Sequence, residues 1–158
     1  NRPHPRSRKR EMALNNEQKR RSAYIARFTT TEGDLGGMNA EQRARRWEGT
    51  VWYERYLEAY RRSDYEAMLN YYRAYYPAAP WMVDESPIVP LEVPVLEFHG
   101  LDDGAYVNES LNDTWKSMGQ DLTLVTLPGV GHNSQNTGDI PFVTNMLRSW
   151  LELQQARR

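Results

Sequence analysis

The sequence predicts an α/β chain in two parts, a helical region over residues 1–82 followed by a region over 83–158 that holds two parallel strands and their helices. Three observations carry this. Apolar and aromatic residues recur every three or four positions through the first half. Two short runs in the second half, VPVLEFHG (93–100) and LTLVTLPG (122–129), are rich in Val and Leu and each ends in Gly, the pattern of parallel strands buried on both faces. Between the halves, residues 77–94 hold five of the nine prolines, a composition that breaks helices and reads as a connection from one part to the next.

Taken in order, NNEQKRRSAYIARF (15–28) starts on Asn caps, with an Asn-x-x-Lys where a capping box has Glu, and predicts a first helix. VWYERYLEAYRR (51–62) sets Trp52, Tyr56 and Tyr60 four apart. SDYEAMLNYYRAYY (63–76) sets Tyr65, Met68, Leu69, Tyr72 and Tyr76 at helical spacing, so two aromatic-faced helices follow one another across a short RRSD turn. Eight of the ten tyrosines fall between 53 and 76, which favours a surface apolar in body with hydroxyls at its edge. NESLNDTWKSM (108–118) predicts a crossover helix through Leu111, Trp115 and Met118, completing one βαβ unit. IPFVTNMLRSWLEL (140–153) predicts a final helix with Phe142, Met146, Leu147, Trp150 and Leu151 on the face that covers the sheet.

Composition narrows the function classes. The 158 residues, 39% hydrophobic, are the size of one ordinary domain. No apolar run approaches the roughly 18 residues that a membrane helix needs, and NRPHPRSRKR lacks the apolar stretch of a signal peptide, so neither a membrane span nor secretion is expected. With no Cys there is no disulfide, thiolate nucleophile or cysteine-built zinc site. A cytoplasmic protein without metal or cofactor is the expectation. Residues 1–81 carry 16 Lys/Arg against 10 Asp/Glu, and the rest 4 against 11. The basic stretch at 2–10 with Lys19, Arg20 and Arg21 raises the possibility of a nucleic-acid binder, but Glu and Gln are interspersed among the basic residues of this region, no aromatic-basic groove pattern accompanies them, the C-terminal half is acidic, and a solvated helix face is the better reading.

Functional groups in open α/β sheets gather beyond the carboxyl ends of the strands. There the first strand delivers Asp102 and Asp103, and the second, through LPGVGHNSQ (127–135), delivers His132 on a Gly-flexed loop. A carboxylate and an imidazole on neighbouring loops of one sheet edge can hydrogen-bond, the carboxylate fixing the ring tautomer and stabilising the imidazolium. These are an acid and a base of triad type. His99, at the end of its strand, and His4, between prolines, read as packing or turn residues.

HGLDDGAYV (99–107), followed about thirty residues on by LPGVGHNSQ and a final amphipathic helix, resembles the C-terminal third of an α/β-hydrolase. The resemblance implies that the acid falls three residues after the Gly ending its strand, at Asp103, with Asp102 a solvated neighbour and the alternative. The first half resembles the cap of the epoxide hydrolase branch: Pro3-His4-Pro5 looks like the entry to the cap, RRSAYIARF like a Tyr-x-x-x-Phe cap segment, and LNYYRAYYPAAPW like a Tyr-Tyr-Arg segment. It implies that Tyr24 and Tyr72 hydrogen-bond an epoxide oxygen. A phenol, with a pKa of about 10, can stabilise and then protonate a developing alkoxide without being ionised at neutral pH. Tyr71, Tyr75 and Tyr76 read as packing residues. Beyond the histidine the family shows an aromatic and an acidic residue near a Pro, where this chain has Asn133, Thr137 and Asp139.

The family's nucleophile sits in a G-x-[Asp/Ser]-x-G elbow. Only Gly100-Leu-Asp-Asp-Gly104 fits literally, and it fails, because Asp102 as nucleophile would leave only Glu109, Asp113 and Asp121, on or beside the connecting helix, as acid. The nucleophile and oxyanion hole are therefore expected from sequence N-terminal to Asn1 or from a second chain, as are further strands, since two parallel strands make no stable sheet. The function so implied is opening of a small apolar epoxide by an upstream Asp, with Asp103 and His132 activating water. A dehalogenase or esterase of the same fold, and a non-catalytic hydrolase-like subunit, are the alternatives.

Overall fold

The computed structural model describes residues 4–29, 39–76, 78–137 and 140–157. By contacts the chain divides into two units, one made of Asn1–Ser22 with Ala79–Arg158 and one of Ala23–Ala78.

The first unit opens with α1 (Pro5–Leu14), whose Pro sits where a missing N–H costs nothing and whose N-cap is His4, the ring Nδ1 accepting from Arg6 N at 3.3 Å. After it comes α2 (Asn16–Ser22), capped by the Asn15 side chain, which accepts from the N–H groups of Glu17 and Gln18. Such a cap is worth about 1 kcal/mol. The basic stretch is not a solvated face: Arg8 is buried, Lys9 pairs with Asp84 at 2.7 Å, and Arg6 and Arg10 donate to backbone carbonyls of Ser86, Glu109 and Asn112. These side chains fasten α1 to the proline-rich segment and to the crossover.

The two strands form as predicted: β1 (Val95–Gly100) and β2 (Leu122–Leu127) pair in parallel, in register from Val95↔Leu122 to Gly100↔Leu127. They are not buried on both faces. β2 is half-buried or exposed until Leu127, because only one neighbouring strand lies beside it among the described residues. The crossover is not an α-helix but two short 3₁₀ turns, Asn108–Leu111 and Thr114–Ser117. Asp113 between them takes the left-handed conformation (φ 63°), which Asp tolerates and a helix interior does not, and Trp115 is left exposed. β2 is followed by α7 (Ser134–Thr137) and the long α8 (Ile140–Ala156). On α8 only Val143 is buried, and Phe142, Leu147 and Leu151 of the predicted covering face are exposed.

Among its described residues the second unit is built of helices and the turns between them. The first predicted helix, rather than running to 28, tightens into a 3₁₀ turn at Ala23–Ile25 and resumes as α3 (Ala26–Thr29). α4 (Ala40–Ala44) opens on a capping box between Asn39 and Gln42, and α5 (Tyr53–Arg61) packs against it, Leu57 burying Ala40 and Ala44 with Tyr53 and Tyr60 at the margin. The buried stripe of α5 is thus 53, 57 and 60. Trp52, one residue off it, precedes the helix and is exposed, whereas Tyr56 stacks on Trp47 at 4.1 Å. The turn at 62–64 ends in Asp64, which caps α6 (Tyr65–Tyr75) by accepting from Ala67 N. Leu69 of α6 is fully buried, and α6 packs against α3.

Candidate active site

The loops after β1 and β2 are tied to each other. Beyond Gly100 the chain donates from Leu101 N to Leu127 O and from Asp102 N to Val130 O, both at 3.0 Å, and turns back through Asp103 N to Gly100 O at 3.1 Å. The contact is close enough to require glycine: a Cβ on Gly100 would lie 2.2 Å from Val130 O and 2.4 Å from Gly131 O. After β2 the turn at Pro128-Gly129 uses a positive φ of 71° at the glycine. One close approach and one tight turn thus bring His132 back beside the end of β1.

There the Asp103 carboxylate, 1% exposed, meets the ring: His132 Nδ1 lies 2.9 Å from Oδ2 and 3.1 Å from Oδ1. An ionised carboxylate only accepts, so Nδ1 carries the proton and donates. The N–H groups of Ala105 and Tyr106 also donate to Asp103 Oδ1, at 2.7 and 3.0 Å. Burial pushes the Asp103 carboxyl up, but the His132 bond and these two amides outweigh it and hold it at about 2. Asp102, by contrast, is exposed. The His132 ring is 41% exposed and lies 5.6 Å from the Tyr106 ring, and Asn133 beside it is half-buried. Asp139 and Pro3 lie outside the described residues. His99 is wholly buried, its Nε2 3.0 Å from Asn108 Oδ1, while Asn108 Nδ2 donates to Leu101 O.

Two residues that sequence reasoning passed over complete this loop. Gln18 of α2 is wholly buried; its amide nitrogen donates to Ala105 O at 2.8 Å and its oxygen accepts from Val107 N at 3.0 Å. Arg21, one turn on, donates to the carbonyls of Asp103 and of Tyr106, the latter at 2.9 Å. A Gln and an Arg in a charged helix read as solvated residues, and nothing in the pattern flags them. Among the described residues no group of three or more His, Asp or Glu is placed to hold a metal ion, and no helix is long and apolar enough to cross a membrane.

In the helical unit Tyr24, in the 3₁₀ turn, and Tyr72, on α6, meet the same ring. Phe28 of α3 lies 5.5 Å from Tyr24, edge to face, and 5.0 Å from Tyr72. Both tyrosines are half-buried. Tyr71 and Tyr75, read as packing residues, touch each other at 5.6 Å on the outer side of α6 and are exposed.

This fold is that of the C-terminal part of an α/β-hydrolase. The chain is similar to a Bacillus megaterium epoxide hydrolase solved in complex with an inhibitor, with a TM-score of 0.75 and 21% identity, over 96% of this chain and 58% of that one. A point mutant of the same enzyme, solved with its product, a naphthyloxy propanediol, gives 0.76 at 21% identity over the same shares. A structure described as one of the novel epoxide hydrolases of the α/β-hydrolase superfamily from metagenomes of hot environments gives 0.66 at 23%, over 91% of this chain and 54% of that one. The chain therefore spans a little over half the length of the solved structures it matches. No protein-family model matches the sequence, and no curated protein does.

Proposed function

We propose that this chain is the cap and the acid-histidine end of an epoxide hydrolase-like enzyme, completed by a nucleophile-bearing N-terminal half. The single observation that carries the reading is the pairing of buried Asp103 with His132 Nδ1 at the joined ends of two parallel strands. The helical unit, with Tyr24 and Tyr72 gathered on Phe28, supplies the cap in this reading. Likeness of fold to solved epoxide hydrolases supports it.

The chemistry runs in two steps. A carboxylate of the N-terminal half attacks an epoxide carbon; the C–O bond breaks, its electron pair goes to oxygen, and a cap tyrosine protonates the alkoxide, leaving an alkyl ester. With Nδ1 engaged by Asp103, Nε2 of His132 takes a proton from water, whose oxygen adds to the ester carbonyl. Collapse releases the diol and restores the carboxylate, and the imidazolium proton returns to the tyrosinate through solvent. Asp103 stays ionised throughout and stabilises the imidazolium.

The test is to trap the ester. In the completed enzyme His132→Gln leaves the alkylation step and removes the base, so mass spectrometry after exposure to an epoxide should show protein heavier by one substrate. An inactive variant without adduct would overturn the Asp-nucleophile mechanism and favour a serine esterase of the same fold.

A further inference from the structure

We propose that Gln18, with Arg21, positions the catalytic acid: α2 is the template on which the Asp103 loop is folded. The proposal rests on the reading of Asp103 and His132 as the acid and base of the site.

Residues 103–107 belong to neither helix nor strand, with Asp103 and Val107 buried, and backbone groups taken out of water need partners that no regular element supplies here. Every backbone N–H and C=O of Asp103 and of residues 105–107 is paired, half of them by α2. Asp103 N–H bonds Gly100 O, and the N–H groups of Ala105 and Tyr106 bond the Asp103 carboxylate. The opposite side of the loop belongs to α2: Gln18 takes Ala105 C=O and Val107 N–H, and Arg21 takes the carbonyls of Asp103 and Tyr106. The 105–106 peptide is therefore held between two grips, Gln18 on its carbonyl and the Asp103 carboxylate on its N–H, while Arg21 holds the carbonyls of the 103–104 and 106–107 peptides on either side. The Tyr106 N–H faces the carboxylate only while the Ala105 carbonyl of the same peptide faces α2. A turned peptide would present an oxygen to Asp103 instead of a hydrogen, and the acid would leave its place under His132.

Position matters more than stability here. Gln18 is held in turn by donating to Ser22 Oγ at 2.8 Å, and Arg21 by Glu17 at 2.8 Å, so both grips are braced from within α2. Arg21, through the backbone, and His132, through the carboxylate, both bond Asp103. Neither α2 residue touches the reacting atoms in this scheme; both act through Asp103.

The experiment compares Gln18→Leu and Arg21→Met with Met12→Ala in the completed enzyme. Met12 is buried in α1, so its truncation lowers stability without removing either grip. Two quantities are read: the titration of the Asp103 carboxyl carbon by NMR, which needs no substrate, and the two half-reactions in single turnover. In both α2 variants the Asp103 midpoint should rise from about 2 toward the ordinary carboxylate range, and ester hydrolysis should slow by about ten- to a hundred-fold with alkylation unchanged within about twofold. Met12→Ala should change neither the midpoint nor the ratio. Arg21 is partly exposed, so its variant carries the test if Gln18→Leu does not fold. An unmoved midpoint in Arg21→Met overturns the proposal, as does a moved midpoint with unslowed hydrolysis. An enzyme inert to epoxides overturns the proposed function instead, and the titration still decides whether α2 positions Asp103.

Discussion

Asp103 and His132 are joined through Oδ2 and Nδ1 at 2.9 Å, while the carboxylate next in sequence, Asp102, is exposed. The chain turns through Leu101 and Asp102, closed by Asp103 N–H on Gly100 O, and the amides of Ala105 and Tyr106 then bond the Asp103 carboxylate. Asp103→Asn in the completed enzyme should therefore lower kcat by about two to four orders of magnitude, since an amide cannot be relied on to hold the Nδ1–H tautomer. Asp102→Asn should stay within a few-fold. Steady-state kinetics of both variants checks this, and equal losses would remove Asp103 from the role of acid.

Gly100 is where the two loops touch. With carbonyl oxygens 2.2 and 2.4 Å from the site of a Cβ, Gly100→Ala forces backbone to move and draws the His132 loop off the end of β1. The expected cost is about 2 to 4 kcal/mol, with activity lost in whatever still folds. Gly104, where a Cβ would meet nothing within 4 Å, is the control: Gly104→Ala should stay within about 0.5 kcal/mol. Thermal unfolding of the two variants measures the difference.

Acid should loosen the site over a defined range. Asp103 titrates lower in the folded state, at about 2, than in the unfolded chain, at about 4, so between those values the unfolded chain binds more protons and stability rises with pH. The contribution, on the order of 2 kcal/mol, is present in full above the unfolded value and is lost as pH falls toward the folded one. In Asp103→Asn the stability-pH curve should be flatter across this window, as measured by urea unfolding at each pH.

Legibility in the sequence followed the kind of information each feature needs. β1, β2, α5, α6 and α8 show themselves as local periodicity, and the strand-end positions of Asp103 and His132 follow from the order of elements. What failed depended on single backbone choices or on distant partners. Asp113 at positive φ splits a segment whose Leu111, Trp115 and Met118 are spaced like a helix. Arg6, Lys9 and Arg10 look solvated until Asp84, Ser86 and Glu109 are folded against them. Gln18 contacts residues 87 and 89 positions away, and no pattern within α2 announces that.

Exposure on α8 predicts behaviour in solution. Ile140, Phe142, Leu147, Leu151 and Leu153 lie on the surface beside a sheet of two strands with open edges among the described residues. Such a surface favours association. The isolated 158-residue chain should aggregate or melt without a cooperative transition, and an N-terminal half carrying the remaining strands should rescue it. Light scattering and calorimetry distinguish the cases, and a sharp transition from a monodisperse monomer would count against the half-domain reading.

Under the proposed function, Tyr24 and Tyr72 are the residues that would separate epoxide opening from its neighbours. An alkoxide is a poor leaving group unless acids are set against its oxygen, whereas a halide leaves with weak donors and an ester's oxyanion is met by backbone amides. Two phenols acting together are needed for the first reaction and superfluous for the others. Tyr24 and Tyr72 both pack on Phe28, and Phe at either place keeps those ring contacts. In the completed enzyme Tyr24→Phe and Tyr72→Phe should each lower epoxide turnover by about one to three orders of magnitude, on the order of 2 to 4 kcal/mol. The double variant should be nearly inactive, with unchanged melting as evidence that packing survives. Ester or halide substrates, if turned over, should be affected by only a few-fold. Full epoxide activity in the double variant would remove the tyrosines from the mechanism, and an enzyme that cleaves esters or halides while ignoring epoxides would assign the Asp103–His132 pair to that chemistry instead.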